Sequence, residues 1–352
     1  MNVVYIVIGI LLFGVLVMFH EFGHFITAKL FGVGVDEFSV GMGPAIFKRQ
    51  KGETLYAVRC IPFGGYCAMR GEDEESEDPR AFTSAKKWKR AIILFAGSFN
   101  NFLLGFIIML ILYSNAAAFN APLIEGFMDG CPYESAEGLQ TGDRFVRIDG
   151  KKVLSRTDIS AYLDDGRDYH DIVLSRDGKR VKLQNFYFVP RQYEGEDSLY
   201  YGFFMGTEEA SFGVKIRYAW YETLDFSRLV WQSLRMLTNG EAGVNDLTGP
   251  VGIVDLMAET GEQAESVGDA LFGIFYIGAL ITVNLAIMNL LPIPALDGGR
   301  IFFLVVTWII ESITRRKLDP KYEGYVHTAG FVLLIGLMIY IMGHDVVRLI
   351  KG

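Results

Sequence analysis

Residues 20–24 read His20-Glu21-Phe22-Gly23-His24 and follow an apolar run that carries no charge from Asn2 to Phe19. Residues four apart lie on the same face of an α-helix, so the two imidazoles can bind one metal ion. Glu21 lies on an adjacent face, where its carboxylate can act as a general base. An uncharged run of this length crosses most of a bilayer core. The sequence therefore predicts a metal site inside a membrane helix.

The spacing H-E-x-x-H on a helix is typical of zinc metalloproteases, which use two histidine ligands and a glutamate base. A helix rises about 13 Å from His20 to Lys29, so the imidazoles lie below the membrane surface if Lys29 marks that surface. A lone histidine near this surface more often packs than binds metal. Here two histidines and a glutamate have the required spacing, in a chain with 5 histidines. A third ligand has to come from elsewhere in the chain.

Four long uncharged runs indicate the fold class. The chain has 352 residues, of which 51% are hydrophobic. Each run approaches or exceeds the length of a transmembrane helix. The runs are Asn2–Phe19, Ala91–Ala118, Ala270–Leu291 and Tyr325–Gly343. We therefore predict a polytopic α-helical membrane protein with four transmembrane helices and a zinc site in the membrane. The first run lacks a basic n-region and a cleavage site, so we expect it to be retained.

The distribution of basic residues predicts the orientation of these helices, because cytoplasmic loops carry an excess of Lys and Arg. Basic residues cluster around the first long loop and between the last two apolar regions. If both clusters are inside, four crossings place both termini and the long central segment outside the cytoplasm. The basic residues are Lys29, Lys48, Arg49, Lys51, Lys86, Lys87, Lys89, Arg90, Arg315, Arg316 and Lys317.

Residues 31–90 predict a small membrane-associated β-sheet on the cytoplasmic side. Val35–Val40 and Thr54–Met69 have the composition of strands, and the glycine-containing segments 41–44 and 62–65 predict turns. A sheet beside a protease site could pair with an extended substrate. A cytosolic hairpin that only connects two helices is equally consistent with the sequence.

Residues 119–208 predict a soluble α+β domain between the second and third apolar runs. The segment 138–143, followed by the strand Arg144–Ile148 and the turn Asp149-Gly150-Lys151, resembles a PDZ domain, which binds extended peptides. Phe212–Gly240 then alternates apolar and charged residues with a helical period. This pattern predicts an amphipathic helix in the membrane interface, with packing against the PDZ domain as the alternative.

The third apolar region is broken by Pro292, Pro294 and two glycines. Broken backbone at membrane depth is tolerated where protein or a water-filled cavity satisfies its polar groups. Asp297 is the carboxylate in this break, which makes it the predicted third metal ligand. It is also a candidate N-cap for a helix that starts at Gly298. His327 and His344, near the ends of the last run, are poorer ligand candidates.

The predicted segments follow the chain in order. They are the first transmembrane helix 1–30, the β region 31–90, the second transmembrane helix 91–118, the PDZ domain 119–208, the interfacial helix and connector 209–268, the third transmembrane region 269–312 and the fourth transmembrane helix 322–345.

Two motifs, H-E-F-G-H at 20–24 and N-L-L-P-I-P-A-L-D-G-G at 289–299, resemble those of the site-2 protease (M50) family of intramembrane zinc metalloproteases. The order of first span, PDZ insertion and L-D-G span resembles the bacterial RseP-type branch, here with a single PDZ domain. Three further segments match that branch, namely Phe38–Pro44, Pro62–Tyr66 and Leu247–Ile253. The resemblance covers essentially the whole chain.

The resemblance implies a role for each matching residue. The implied Zn²⁺ ligands are His20, His24 and Asp297, and the implied catalytic base is Glu21. The implied substrate-binding residues are Asn289, Pro292 and Pro294. Asn289 would hydrogen-bond the unwound substrate backbone, and the strands around Thr54–Met69 would form the sheet that the substrate extends.

The resemblance also implies a function, which is the cleavage of single-span membrane proteins in the bacterial inner membrane. Substrates would be anti-sigma factors, after a first cut by a site-1 protease, or remnant signal peptides. The expected partners are these substrates and the lipid bilayer, with no nucleic acid. The PDZ domain would either capture the new carboxyl terminus or exclude bulky substrates by size, and we favour the size gate.

Two alternatives use the same sequence features differently. A membrane-anchored protease could cut soluble proteins at the cytosolic face, but its third ligand is usually a downstream Glu in a soluble helix. A non-proteolytic membrane PDZ receptor or scaffold would need neither Glu21 nor an aspartate in a broken span. Zinc stoichiometry separates the scaffold from the enzyme.

Overall fold

The structure, a computed structural model, describes residues 3–72, 76–195, 197–243, 246–315 and 321–351. The chain divides into two compact units. The membrane unit comprises Met1–Leu112 and Glu222–Gly352, and the inserted unit comprises Tyr113–Tyr221. Two residues of the predicted cytoplasmic cluster, Arg316 and Lys317, lie outside the described residues.

The helices and strands of the described residues are named in chain order. The helices are α1 (Val3–Leu30), α2 (Lys87–Leu112), α3 (Arg156–Leu163), α4 (Phe212–Asn239), α5 (Pro250–Gln263), α6 (Val267–Met288), α7 (Asp297–Thr314) and α8 (Lys321–Lys351). The strands are β1 (Val35–Lys51), β2 (Thr54–Met69), β3 (Ala118–Phe127), β4 (Arg144–Ile148), β5 (Lys151–Lys152), β6 (Tyr169–Arg176), β7 (Lys179–Tyr187), β8 (Arg191–Gln192), β9 (Leu199–Tyr200) and β10 (Phe203–Glu209).

Four helices are long and apolar enough to cross a membrane. Within the described residues they are Val3–Leu30, Lys87–Asn115, Val267–Met288 and Gly324–Val347. The chain is therefore a multi-pass membrane protein, as the uncharged runs predicted. The helices α1 and α2 extend past the uncharged runs to include Lys29 and Lys87. Lysine is tolerated there because its ammonium group can extend from a helix end into the membrane interface.

The helix α2 ends earlier than predicted. It stops at Leu112, and a single 3-10 turn, Tyr113–Asn115, follows before β3 begins at Ala118. The uncharged run continues to Ala118, but an absence of charge does not distinguish the end of a helix from the start of a strand.

Small residues bring α1, α2 and α6 close together. A Cβ on Gly23 of α1 would overlap the backbone of Ala96 and Gly97 in α2. A Cβ on Gly105 of α2 would likewise overlap Val283 of α6. Small residues at such positions are typical of helix interfaces in membranes, where close backbone approach supplies the packing energy. The helix α2 is therefore held between α1 and α6.

The strands β1 and β2 form a two-stranded sheet in which β1 is longer than expected and β2 has the predicted bounds. Both strands continue through the segments 41–44 and 62–65, so the prediction of turns there was wrong. Three glycines in these segments have positive φ and lie where the pairing shifts register, namely Gly41, Gly43 and Gly64. Glycine with positive φ serves a β-bulge as well as a turn, and here it makes bulges. The chain reverses at Gly52 instead, between β1 and β2.

The bulges fold this sheet back on itself. Residues 37–40 face both 55–58 and 65–68 in the pairing register. The segment 65–69 is consequently an edge, because no other described strand pairs with it. The strand β2 also contacts α1, the helix that carries the histidine motif. A sheet edge therefore lies beside the predicted metal site.

The inserted unit is an α+β unit with a six-stranded sheet of order β10-β3-β4-β6-β7, in which β5 pairs with β4, and a separate two-stranded sheet of β8 and β9. Its core includes the fully buried Phe145 and Phe188. Asp149-Gly150 and Asp177-Gly178 form tight turns with positive φ at both residues, as the D-G pairs predict. The unit contains the predicted PDZ region 119–208, and its assignment to that module stays a prediction.

The helix α4 is amphipathic over nearly the predicted length. Within the inserted unit, Tyr218 stacks on Phe119 with ring centroids 4.4 Å apart. Within the membrane unit, Phe226 packs edge-on against Tyr276 at 5.2 Å. Trp231 is 54% exposed, as expected for a helix that also contacts lipid headgroups. The interfacial location of α4 stays a prediction.

The broken third region consists of α6, the loop 289–296 and α7. The helix α7 begins at Asp297, and Leu296 occupies the N-cap position with extended backbone. The predicted N-cap role of Asp297 was therefore wrong, because the helix starts one residue earlier than expected. The helix α5 precedes this region in a segment for which the sequence predicted only a connector.

The start of α5 yields a stability prediction. Oδ2 of Asp345, a buried residue of α8, accepts hydrogen bonds from the N–H groups of Gly249 at 3.0 Å and Gly252 at 3.1 Å. We expect Asp345→Ala to lower the free energy of unfolding by about 1–3 kcal/mol, because buried N–H groups lose their acceptor. Thermal unfolding of the detergent-solubilised protein measures this change. Val346→Ala, at an exposed neighbour, is the matched control, and equal Tm values for the two variants would contradict the prediction.

Candidate metal centre

Three side-chain atoms, one each from His20, His24 and Asp297, lie close together at the histidine motif. Nε2 of His20 lies 3.1 Å from Oδ2 of Asp297 and 3.2 Å from Nε2 of His24. Nε2 of His24 lies 3.2 Å from the same aspartate oxygen. Both imidazoles are buried, and Asp297 is partly buried. The structure thus brings together the three residues predicted as ligands, although Asp297 is 277 positions from His20.

This triangle has the size that a zinc ion requires. Zinc binds nitrogen and carboxylate oxygen at about 2.0–2.1 Å in a tetrahedron, so its ligand atoms lie about 3.3 Å apart. The observed separations of 3.1–3.2 Å are close to that value. Three protein ligands of this type are typical of catalytic zinc, which keeps a fourth position for water or substrate. The donor set therefore fits zinc.

The helix α2 orients one of the two imidazoles. Nδ1 of His24 lies 2.8 Å from the backbone oxygen of Ile93 in a buried hydrogen bond. A carbonyl oxygen can only accept, so the proton of neutral His24 is on Nδ1 and the lone pair is on Nε2. A hydrogen bond on the second ring nitrogen is the usual way in which proteins orient a histidine ligand.

Glu21 lies between the helix α1 and the sheet. It lines the same cavity as the three ligand residues, and its carboxylate accepts a hydrogen bond from the backbone N–H of Cys67 in β2. A Cβ on Gly65, in the same strand, would lie 3.6 Å from Cγ of Glu21. This contact with Cys67 could not be predicted from the sequence, because a backbone N–H leaves no side-chain pattern there.

A cavity of about 550 Å³ adjoins the ligand atoms. Among its other lining residues are Asn101, Asn289, Ala295, Leu296, Arg300 and Phe331. The amide Nδ2 of Asn289 is 3.3 Å from Nε2 of His20, so the cavity brings this predicted substrate-binding residue to the metal centre. Pro292 and Pro294 are not among the lining residues; both lie in the loop 289–296. The volume and mixed polarity suit an extended peptide segment.

The loop 289–296 is held in a strained conformation by the last helix. Ala295 has φ of 77°, a left-handed conformation that costs a non-glycine residue about 1–2 kcal/mol. Its N–H donates to Nδ1 of His327 in α8 at 3.1 Å. His327 is not one of the three converging ligands, consistent with its poor prospects in the sequence. In the structure, His327 instead stabilises the loop by accepting this hydrogen bond. The only sign of such a role in the sequence is that His327 is a polar residue within an apolar run.

A second group of side chains has the composition of a metal site, namely Asp149, Asp165 and His170 in the inserted unit. Nη2 of Arg167 lies 2.7 Å from Oδ2 of Asp149 and 2.5 Å from Oδ2 of Asp165. Hydrogen bonding from Arg167 lowers the pKa of Asp165. Nδ1 of His170 lies 2.8 Å from Asp149, and Nε2 donates to the backbone oxygen of Arg167. A guanidinium already balances these carboxylates, so the group is an ion-pair network.

Comparison with known proteins gives concordant matches. The model of peptidase family M50 matches residues 8–337. A protein of Clostridium acetobutylicum, provisionally named a zinc metalloprotease, is 36% identical over 350 residues, which cover 97% of each chain. The zinc metalloprotease RasP of Shouchella clausii is 29% identical over 430 residues, covering 97% of this chain and 98% of that one. The regulator of sigma-W protease RasP of Bacillus subtilis is 28% identical over 425 residues, covering 97% of each chain.

The tight packing of α2 over the imidazoles yields a prediction about metal affinity. A Cβ on Gly97 would overlap ring atoms of both His20 and His24. We expect Gly97→Ala to weaken zinc binding about 10–100-fold, because displaced imidazoles lose their orientation. Chelator competition on the purified protein in detergent measures the affinity. Gly336→Ala makes the same change on α8, where no described atom lies within 4 Å of the new Cβ. Equal zinc affinities in the two variants would contradict the prediction.

Proposed function

The chain belongs to peptidase family M50, and we propose that this zinc metalloprotease hydrolyses peptide bonds of single-span membrane proteins within the bilayer. The observation that carries the proposal is the convergence of Asp297 with His20 and His24, at 3.1–3.2 Å, on a helix that is apolar enough to span a membrane. A zinc protease that acted only on soluble chains would have no need for this placement.

Each polar residue of the centre has a proposed role in the reaction. His20, His24 and Asp297 would hold the zinc ion. When bound, zinc supplies Lewis-acid polarisation of a carbonyl and lowers the pKa of water towards about 7. Glu21 would take a proton from the attacking water and deliver it to the leaving amine nitrogen. The hydrogen bond from the N–H of Cys67 would keep the Glu21 carboxylate turned towards the cavity.

The substrate would bind as an extended strand. A helical substrate keeps its carbonyl groups hydrogen-bonded within the helix, so the scissile segment has to unwind before attack. The edge 65–69 of β2 pairs with no other described strand, and a substrate strand that paired there would replace the lost helical hydrogen bonds. The amide of Asn289 lies close enough to the centre to bind a substrate carbonyl. Pro292 and Pro294 would shape the channel by fixing the loop backbone.

The biological setting of this proposal rests on the relatives. One relative is named a regulator of sigma-W protease, which supports anti-sigma factors as substrates. A first cut by a site-1 protease is part of the proposal. Remnant signal peptides are single apolar spans as well and would fit the same cavity. The proposed location is the bacterial inner membrane, with the termini and the region 119–208 outside the cytoplasm. The converging ligands and the named relatives favour a protease over a PDZ scaffold.

The role of Glu21 as proton carrier is tested by Glu21→Gln. The amide cannot take a proton from water, so we expect cleavage to fall by about 10²–10⁴-fold while zinc content stays unchanged. The measurement is turnover of a purified single-span reporter in proteoliposomes, together with metal analysis. Glu265→Gln, at an exposed residue outside the described lining of the cavity, is the control and should keep full activity. Undiminished turnover by Glu21→Gln would refute the proposed mechanism.

We propose that the PDZ-like region 119–208 limits substrates by size, with capture of a new carboxyl terminus as the alternative. A size gate predicts that cleavage by the full-length protein falls steadily as the extracytoplasmic domain of the reporter grows. Deletion of residues 119–206 should remove that dependence. The measurement is the cleavage rate for a reporter series with extracytoplasmic tails of increasing length. Retained discrimination by the deletion variant, or sensitivity to amidation of the reporter's carboxyl terminus instead of to its length, would favour capture.

A further inference from the structure

One buried polar side chain beside the metal centre has no place in the mechanism above. Asn101, near the middle of α2, is completely buried. Its Nδ2 lies 3.4 Å from Nδ1 of His20. Its Oδ1 has no hydrogen-bond partner among the described residues. A buried amide oxygen without a partner lowers stability by about 1–3 kcal/mol. The position of Asn101 against His20 therefore needs a physical explanation.

The two proposed histidine ligands differ in what lies behind them. His24 has a carbonyl oxygen, that of Ile93, next to Nδ1, and this oxygen fixes the proton there. His20 also has to bind through Nε2, because Nε2 is the atom that faces Asp297 and His24. A neutral histidine that binds metal through Nε2 carries its proton on Nδ1. Nδ1 of His20 therefore needs an acceptor.

Asn101 can supply this acceptor without any change in volume. Rotation of the carboxamide by half a turn exchanges Nδ2 with Oδ1, and the two arrangements have the same shape. After this rotation, Oδ1 faces Nδ1–H of His20 and gains the partner that it lacks. With Nδ2 facing Nδ1, the proton of His20 would have to move to Nε2, where it blocks metal binding. The same orientation gives Nδ1–H of His20 an acceptor and Oδ1 of Asn101 a donor.

We propose that Asn101 is a positioning residue that accepts the Nδ1–H of His20 and so fixes the tautomer and ring orientation of this ligand. The inference rests on the ligand set in the proposed function. The position of Asn101 is itself held by α6, because Oγ1 of Thr282 donates to the backbone oxygen of Asn101 at 3.2 Å. The helix α2 thereby orients both imidazoles, His24 through a backbone oxygen and His20 through a side chain.

The simpler alternative is that Asn101 only joins helices, as amides in membrane helices often do. Its neighbour Asn100 does so, because Nδ2 of Asn100 donates to the backbone oxygen of Phe19 in α1. Asn101 differs in facing a ring nitrogen of a proposed ligand. A joining role predicts a loss of stability on substitution, whereas a positioning role predicts a loss of zinc affinity that a different acceptor restores.

The test is zinc affinity of the full-length protein in detergent, measured by chelator competition and by the visible absorption of bound Co²⁺. Asn101→Leu keeps the approximate size and removes the acceptor, and we expect it to weaken zinc binding about 10–100-fold. Asn101→Asp keeps an acceptor in place and should restore the affinity to within about threefold, since carboxylates orient histidine ligands in the same way. Asn101→Ala is a smaller removal for use if the leucine variant does not fold.

Two controls separate this inference from the proposals on which it rests. Ser98→Ala removes another buried polar group of α2, one whose hydroxyl has no described partner, and should leave zinc affinity unchanged. His20→Ala should abolish tight zinc binding. If His20→Ala binds zinc as the wild type does, the ligand set itself is wrong. If His20→Ala loses zinc but the folded leucine or alanine variant retains wild-type affinity, or the aspartate variant binds no better than they do, the role of Asn101 is overturned.

Discussion

The arrangement of this protein depends on three proposed ligand atoms that meet inside a bundle of membrane helices. His20 and His24 lie one turn apart on α1, and Asp297 is the first residue of α7. Nε2 of each histidine and Oδ2 of Asp297 lie 3.1–3.2 Å from one another. Placing ionisable groups inside a membrane costs free energy, so such groups are usually functional or paired with an opposite charge. Close packing makes the meeting feasible, because Gly23 and Gly97 let α1 and α2 approach until α2 covers both imidazoles.

Asp297 reaches the centre only because the apolar chain is interrupted before it. An interrupted helix exposes backbone groups that hydrocarbon cannot satisfy. Here the N–H of Gly298 donates to the backbone oxygen of Asn289 at 2.7 Å, and the N–H of Ala295 donates to Nδ1 of His327. The left-handed backbone of Ala295 is the conformational cost of this loop. The helix α8 therefore takes part in holding the aspartate, although it supplies none of the three converging ligand atoms.

In the sheet next to the centre, glycines that predicted turns from the sequence form β-bulges instead. Gly41, Gly43 and Gly64 have the positive φ that turns also require, yet β1 and β2 continue past them. The bulges place residues 65–69 at an edge beside Glu21. A hairpin with turns at those glycines would have ended β2 before it reached the site. The preference of glycine for positive φ therefore produced bulges instead of turns, because the strands pair on both sides of these residues.

Local patterns in the sequence determined the four long helices and the roles expected of His20, Glu21 and His24, because helix periodicity and apolar length act over neighbouring residues. Asp297 could be chosen from the sequence only as the carboxylate in a broken apolar region, since its distance to the imidazoles depends on how α1, α2 and α6 pack. Tertiary structure alone decided that the N–H of Cys67 contacts Glu21 and that Asn101 faces His20. These contacts join elements that are far apart in the chain, and no spacing within one element records them.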